Sequence, residues 1–178
     1  MARRTRPQTT RTPPGSVDRF GRRVLDDRRH DPYQAHGKYS EPTHCAACGA
    51  VFHEGRWQWS AAAPHSHAAT CPACRRIQDR LPAGTLTLEG EYVRAHGSEL
   101  LNVARHQGEL ERKEHPLHRI IAVDDAEGRI VITTTDVHLP RRIGEALKRA
   151  HDGTLDIAFG NDEYGVRVHW LRDAAGRP

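Results

Sequence analysis

The chain has 178 residues, of which 28% are charged and only 6% aromatic, and it carries a formal net charge of +4 at pH 7. That length accommodates a small module and one further domain with its own core. No apolar run approaches the roughly 20 residues of a membrane span. The opening Met1-Ala-Arg-Arg4 carries no apolar leader, so the expected location is the cytoplasm, where thiols stay reduced.

The charge is unevenly placed. Ten of the 27 basic residues but only four of the 23 acidic ones lie in residues 1–40, so this segment carries +6 and the rest of the chain −2. Residues 1–40, with Arg3, Arg4, Arg6, Arg11, Arg19, Arg22 and Arg23 among proline, threonine and few apolar side chains, read as an arm that is disordered when free. Val17–Leu25 has the composition of a short helix formed on a partner. A basic arm seeks a polyanion, and ribosomal RNA is its commonest target in the cytosol. The plain reading is a solubilising tail.

Residues 41–83 hold all four cysteines, as Cys45-Ala-Ala-Cys48 and Cys71-Pro-Ala-Cys74 with 22 residues between. Two such pairs place four thiolates tetrahedrally around one zinc ion and leave no position open to water, so the expected cofactor is a single structural Zn2+ at Cys45, Cys48, Cys71 and Cys74. Two disulfides are the alternative. His44, His53, His65 and His67 lie close by, but no spacing selects one of them as a ligand. Gly49 follows the first pair, where positive φ lets the chain turn. Glu54-Gly55 joins two short strand-forming runs into a hairpin, and Arg75–Leu81 reads as a short helix. The module is a zinc ribbon or treble clef. Trp57 and Trp59 alternate around Gln58, as core filler or as a stacking platform for bases; Arg75 and Arg76 complete the nucleic-acid candidates in this module.

Residues 84–172 alternate strand and helix. Thr85–Val93 is strand-like, a helix capped by Ser98 runs toward His115, and Arg119–Val123 and Arg129–Thr133 form a hairpin. A second helix starts just after Asp136 and buries Ile143, Ala146, Leu147 and Ala150; strands Thr154–Phe159 and Val166–Leu171 follow, and residues 173–178 form a flexible tail. The order βαββαβ plus one strand predicts an α+β domain of ferredoxin-like type with an extra C-terminal strand. Arg141 and Arg142 fall near the positive end of the second helix, behind Thr133, Thr134 and Thr135. Hydroxyls, free helix amides and two guanidinia there are the makings of a phosphate cradle. The alternative is that the arginines pair with Glu145 or point to water.

The run Cys71-Pro-Ala-Cys74-Arg-Arg-Ile-Gln-Asp-Arg80, the Glu114-His-Pro-Leu117 turn, Ile132-Thr-Thr-Thr-Asp-Val-His138 and Arg141-Arg-Ile-Gly-Glu-Ala-Leu147 resemble a family of small bacterial zinc-ribbon proteins. These are described by similarity to the nonsense-mediated-decay-type adaptor of the large ribosomal subunit. The resemblance spans residues 40–171 and implies association with ribosomes or RNA.

The leading expectation is therefore a non-enzymatic, zinc-containing RNA-binding protein that docks on the ribosome as a stress or hibernation factor acting on translation, with no membrane and no small-molecule substrate. A protein- or DNA-binding zinc adaptor is the alternative. A third reading is a metal-dependent nuclease using Glu114, His115, His118, Asp136 and His138. Because ligation and folding are one event in such modules, Cys71→Ser is expected to unfold residues 44–80 and release the zinc bound there. Elemental analysis and amide exchange of the variant check this.

Overall fold

A computed structural model of the chain describes residues 31–33, 39–126, 128–159 and 164–173. The arm arginines Arg3 to Arg23, the segment Val17–Leu25 and the tail beyond residue 173 lie outside the described residues.

The cysteine module is a four-stranded sheet and one helix. Strands β1 (Thr43–Cys45), β2 (Val51–His53), β3 (Arg56–Gln58) and β4 (His67–Ala69) lie in the order β3-β2-β1-β4, with β1 and β4 parallel. Helix α1 (Pro72–Asp79) follows the second cysteine pair at once. The turn between β2 and β3 has Glu54 at φ 51° and Gly55 at φ 75°, the double positive φ that matches the twist of a two-residue hairpin. Across that hairpin Trp57 faces Phe52, ring centroids 5.6 Å apart, and Tyr39 closes on both at 5.1 and 5.2 Å. Tyr39 thus belongs to the module. So do Asp31 and Tyr33, which bond to Arg76 and Asp79 of α1. The arm expected to run to residue 40 is tied down at these points.

The second unit is a two-layer α+β domain. Its elements are β5 (Gly84–Glu89), α2 (Glu91–Glu114), β6 (Ile120–Ala126), β7 (Arg129–Thr134), α3 (Leu139–His151), β8 (Thr154–Phe159) and β9 (Val166–Leu171). Alternation decides the layering: Leu86 and Leu88, Ile130 and Ile132, Val166, Val168 and Trp170 are buried at every second position, while Thr87, Val131 and His169 between them face outward. Val93, Leu100 and Ala104 of α2 and Ile143 and Leu147 of α3 cover the buried face. Trp170 is fully buried, with its Nε1 donating to the Asp152 carbonyl at 2.9 Å; truncation of such a side chain costs about 3–5 kcal/mol.

Two expectations need correction. The strand expected over Thr85–Val93 ends at Glu89, and α2 begins at Glu91 rather than at Ser98. Gly90 makes the break: it takes φ 111° against the Arg172 carbonyl, where a Cβ would collide. Gly97 and Gly108 lie inside α2 without interrupting it; at Gly108 a Cβ would stand 2.9 Å from Ile120 of the sheet, so the missing side chain lets helix and sheet approach closely. The sheet order is β6-β7-β5-β9-β8, with β9 parallel to β5. A ferredoxin-like order would set the first strand after α3 beside β5, and the added strand outside it. Here the last strand takes that central slot and β8 is displaced to the edge. The side chains explain the exchange, since β9 buries Val166, Val168 and Trp170 whereas β8 is exposed at every position but Leu155.

Gly84, where the two units meet, is the tightest point near α3. A Cβ there would stand 2.7 Å from both the Asp136 carbonyl and Thr134 Oγ1, and would also strike Pro140. Gly84→Ala is expected to destabilise the chain by about 1–3 kcal/mol through overpacking. Thermal unfolding of the variant measures it.

Candidate metal centre and basic cleft

The four cysteines are brought together by the two turns that the sequence marks. Cys45 ends β1, and Gly49 N–H donates to its carbonyl at 2.8 Å with Gly49 at φ 79°, closing the first turn. Cys71 is the N-cap of α1 and Cys74 lies in its first turn, so the second pair opens a helix. All four Sγ atoms lie within 4.8 Å of one another, and Cys48 and Cys71 Sγ are 3.8 Å apart. A tetrahedron of sulfurs at about 2.3 Å from a central zinc has edges of about 3.8 Å. The thiols are free, so the disulfide alternative is set aside. The four cysteines can therefore hold a metal ion such as zinc.

The electrostatics of the site ask for a cation. Burial alone would raise the Cys45 thiol, but the amides of Cys71, Cys48 and Ala47 and the side chain of Cys48 outweigh it and bring it down to about 6. Cys71 goes the other way, pushed far up by burial and by the neighbouring thiolates. Burial also raises Cys74, against the pull of Arg119. Four thiolates cannot share so small a space without a dication between them. The amides of Cys71 and Cys74 donate to Cys45 and Cys71 Sγ at 3.3 and 3.4 Å. His44 is occupied by Ser66, at 2.9 Å, and neither it nor His53, His65 or His67 belongs to the ligand cluster.

Sequence reasoning missed Arg119. This residue precedes β6 in the second unit, yet its Nη2 donates to Cys48 Sγ at 3.0 Å and its Nη1 to Cys74 Sγ at 3.3 Å, while Nε holds the Pro116 carbonyl at 2.6 Å. Burial would pull its pKa down; the hydrogen bonds and charges of Cys48 and Cys74 overcome that and hold it above the ordinary value. Four thiolates around a dication would leave two negative charges, one of which Arg119 would offset. The contact joins residues 71 positions apart, and only an isolated basic residue before a strand marks it in the sequence.

The nucleic-acid candidates divide. Trp57 packs into the small core with Phe52 and Tyr39, so it does not form a paired platform with Trp59. Trp59 is 39% exposed, and its Nε1 donates to the Arg112 carbonyl in the last turn of α2 at 2.6 Å. Arg75 is exposed. Arg76 is buried, which removes it from any nucleic-acid surface: it pairs with Asp31, donates to the Leu81 carbonyl and lies over the rings of Tyr33 and Tyr164 at 4.5 and 5.3 Å.

Of the groups expected in the phosphate cradle, the hydroxyls and two amides have partners within the chain. Asp136 Oδ1 accepts from the amides of His138 and Leu139 at 2.8 and 2.9 Å, so these two amides at the start of α3 are already taken. The hydroxyls of Thr133, Thr134 and Thr135 donate to backbone carbonyls. Arg141 pairs with Glu145 at 2.8 Å, as the plainer reading had it, whereas Arg142 reaches across to Glu111 of α2 at 2.5 Å. What remains is a cleft of about 390 Å³ between α2 and α3, lined by Gln107, His138, Arg141, Arg142, Glu145 and Arg149.

Comparison of the chain with family models, curated proteins and solved structures finds no match.

Outer-sphere partners of a metal ligand set typically carry 10–100-fold in affinity. Arg119→Gln is accordingly expected to weaken Zn2+ retention by that factor. Competition with a chromophoric chelator reads it, and Arg119→Lys, which keeps the charge but not the fork, is expected to fall between.

Proposed function

We propose that the chain is a non-enzymatic RNA-binding protein, its small module organised by one structural zinc ion at Cys45, Cys48, Cys71 and Cys74, and that it binds the phosphate backbone of ribosomal RNA. The observation that carries this reading is the cleft between α2 and α3, where Arg141, Arg142 and Arg149 stand with His138 and Gln107 against Glu145. Arginine forks match phosphate oxygens two at a time. The side chains of Arg141 and Arg142 are 41% and 50% exposed, so their free N–H groups face solvent even while each holds a carboxylate. A closed four-thiolate centre has no coordination position for a substrate, which suits a structural role. The +6 carried by residues 1–40 supplies a second, sequence-independent attraction to the same polyanion.

Arg142 has a second duty. Its partner Glu111 is only 5% exposed, so Arg142→Ala would leave a buried carboxylate without its cation and confound a binding assay. Arg141 and Arg149 are the cleaner probes. The Arg141→Ala, Arg149→Ala protein is expected to bind ribosomal RNA more weakly at every sequence, with a salt-dependence slope shallower by about 1 for each phosphate it no longer neutralises. Filter binding across a salt series and co-sedimentation with ribosomes test it. Unchanged affinity and slope would exclude the cleft as the RNA site, and equal affinity for duplex DNA would favour the adaptor reading.

A further inference from the structure

Where α2 ends, the described residues bring together a second set of ligand atoms. Glu111, His115 and His118 each offer one, all within 4.8 Å of one another. The backbone sets the spacing: His115 N–H donates to the Glu111 carbonyl at 2.7 Å in the last turn of the helix, and His118 N–H to the His115 carbonyl at 2.9 Å in the turn that Pro116 begins. The rings of His115 and His118 approach to 4.7 Å between centroids. His118 Nδ1 is 3.2 Å from Glu111 Oε2. Donors bound at about 2.0–2.2 Å to a tetrahedral zinc stand about 3.3–3.6 Å apart, so this separation is close to that of two ligands on one ion.

The other side of His118 distinguishes a ligand from a simple hydrogen-bonded pair. Nε2 lies 3.9 Å from Asp136 Oδ1, and the side chain of Asp136 is only 10% exposed. Its Oδ1 is used by two amides, but its Oδ2 is buried with no hydrogen-bond partner. Two buried carboxylates thus flank one imidazole, and only Glu111 has an arginine. An imidazole ligated through Nδ1 must carry its proton on Nε2, on the side of Asp136; at 3.9 Å from Oδ1 the two are not hydrogen-bonded, and a small shift of ring or carboxylate would close the carboxylate–histidine–metal relay that is the usual outer support of a histidine ligand. Glu114, considered with these residues from sequence, is exposed and stands outside the cluster; Glu111, one helical turn before His115, takes its place.

We propose that Glu111, His115 and His118 bind a second divalent cation of the zinc class, with Asp136 orienting His118 from behind. One carboxylate and two imidazoles leave a coordination position open, unlike the four-cysteine centre. Arg142 links the site to the basic cleft through Glu111, and His138 of that cleft lies 5.9 Å from the His118 ring. The open position therefore takes water or a phosphate oxygen of the RNA held beside it. That last clause rests on the proposed function; the cation site does not.

The test uses the untagged full chain, zinc-loaded at its cysteines, titrated with Co2+. Wild type is expected to take up one equivalent with the weak visible bands of nitrogen and oxygen ligands and no thiolate charge-transfer band. His115→Ala, at an exposed position, and His118→Asn are each expected to abolish that uptake while zinc content at the cysteines is unchanged. Asp136→Asn, which can still accept from the two amides at the start of α3, is expected to weaken uptake about 10–100-fold. No uptake by wild type, or full uptake by His115→Ala, overturns the site. Co2+ uptake with no RNA binding would leave this site standing and remove the cleft reading.

Discussion

A guanidinium pressed against thiolates is the contact on which the rest of this molecule depends. Arg119 reaches from the start of β6 into the four-cysteine centre, and the same short turn is clasped from the far side by Thr135. The Arg119 amide donates to Thr135 Oγ1 at 2.9 Å, and the Thr135 hydroxyl donates to the Leu117 carbonyl at 2.6 Å. Leu117 in turn packs against the cysteine core. One stretch of five residues, 115–119, thus touches the thiolates, the segment leading into α3 and the histidine cluster at the end of α2. Charged hydrogen bonds to sulfur in a buried setting are worth more than neutral ones, and leaving either side unpaired is costly. This chemistry, together with Leu117 against the cysteine core, joins the two units.

Trp59 and Arg76 reinforce the same seam. The last carbonyls of a helix have no partner within it, and the indole N–H of Trp59 supplies one to α2. Arg76 closes the opposite side, its guanidinium set between aromatic rings from the segment before the cysteine module and from the loop before β9. Both residues look from sequence like nucleic-acid contacts. Arginine and tryptophan serve RNA surfaces and buried seams through the same properties, a planar cation and a large amphipathic ring.

That ambiguity marks the limit of what the sequence disclosed. The cysteine pairs were legible because ligand spacing is local: two tight turns and a helix cap fix each pair within four residues. The Glu54-Gly55 hairpin, the last two strands and Ile143 and Leu147 on the inner face of α3 were legible for the same reason, whereas Ala146 is only half-buried and Ala150, expected on that face, is exposed in the last turn. Gly90 reads as one more residue in a strand because the carbonyl that forbids a Cβ there comes from residue 172. The β9 slot beside β5 depends on which of two strands buries more, a comparison that period-2 alternation within either cannot make. Glu111 was passed over for Glu114, although only the former is one turn from His115. Arg119 had no local signal beyond its place before a strand, since its partners lie 45 and 71 residues away.

Sequence separation also sets an order of assembly. The four cysteines leave the ribosome with the hairpin and α1 that arrange them, whereas Arg119 is made 45 residues after Cys74. At about 5–20 residues per second, that delay is roughly 2–9 s. During it the thiolate cluster is complete in ligands but lacks its guanidinium, its Leu117 cover and the helix end that Trp59 occupies. The nascent cysteines are then at their most open to metal ions and to thiol oxidation. Synthesis of β6 ends that interval, so the second unit acts on the first as a late-arriving lid, and a chain stalled within α2 retains the exposed centre.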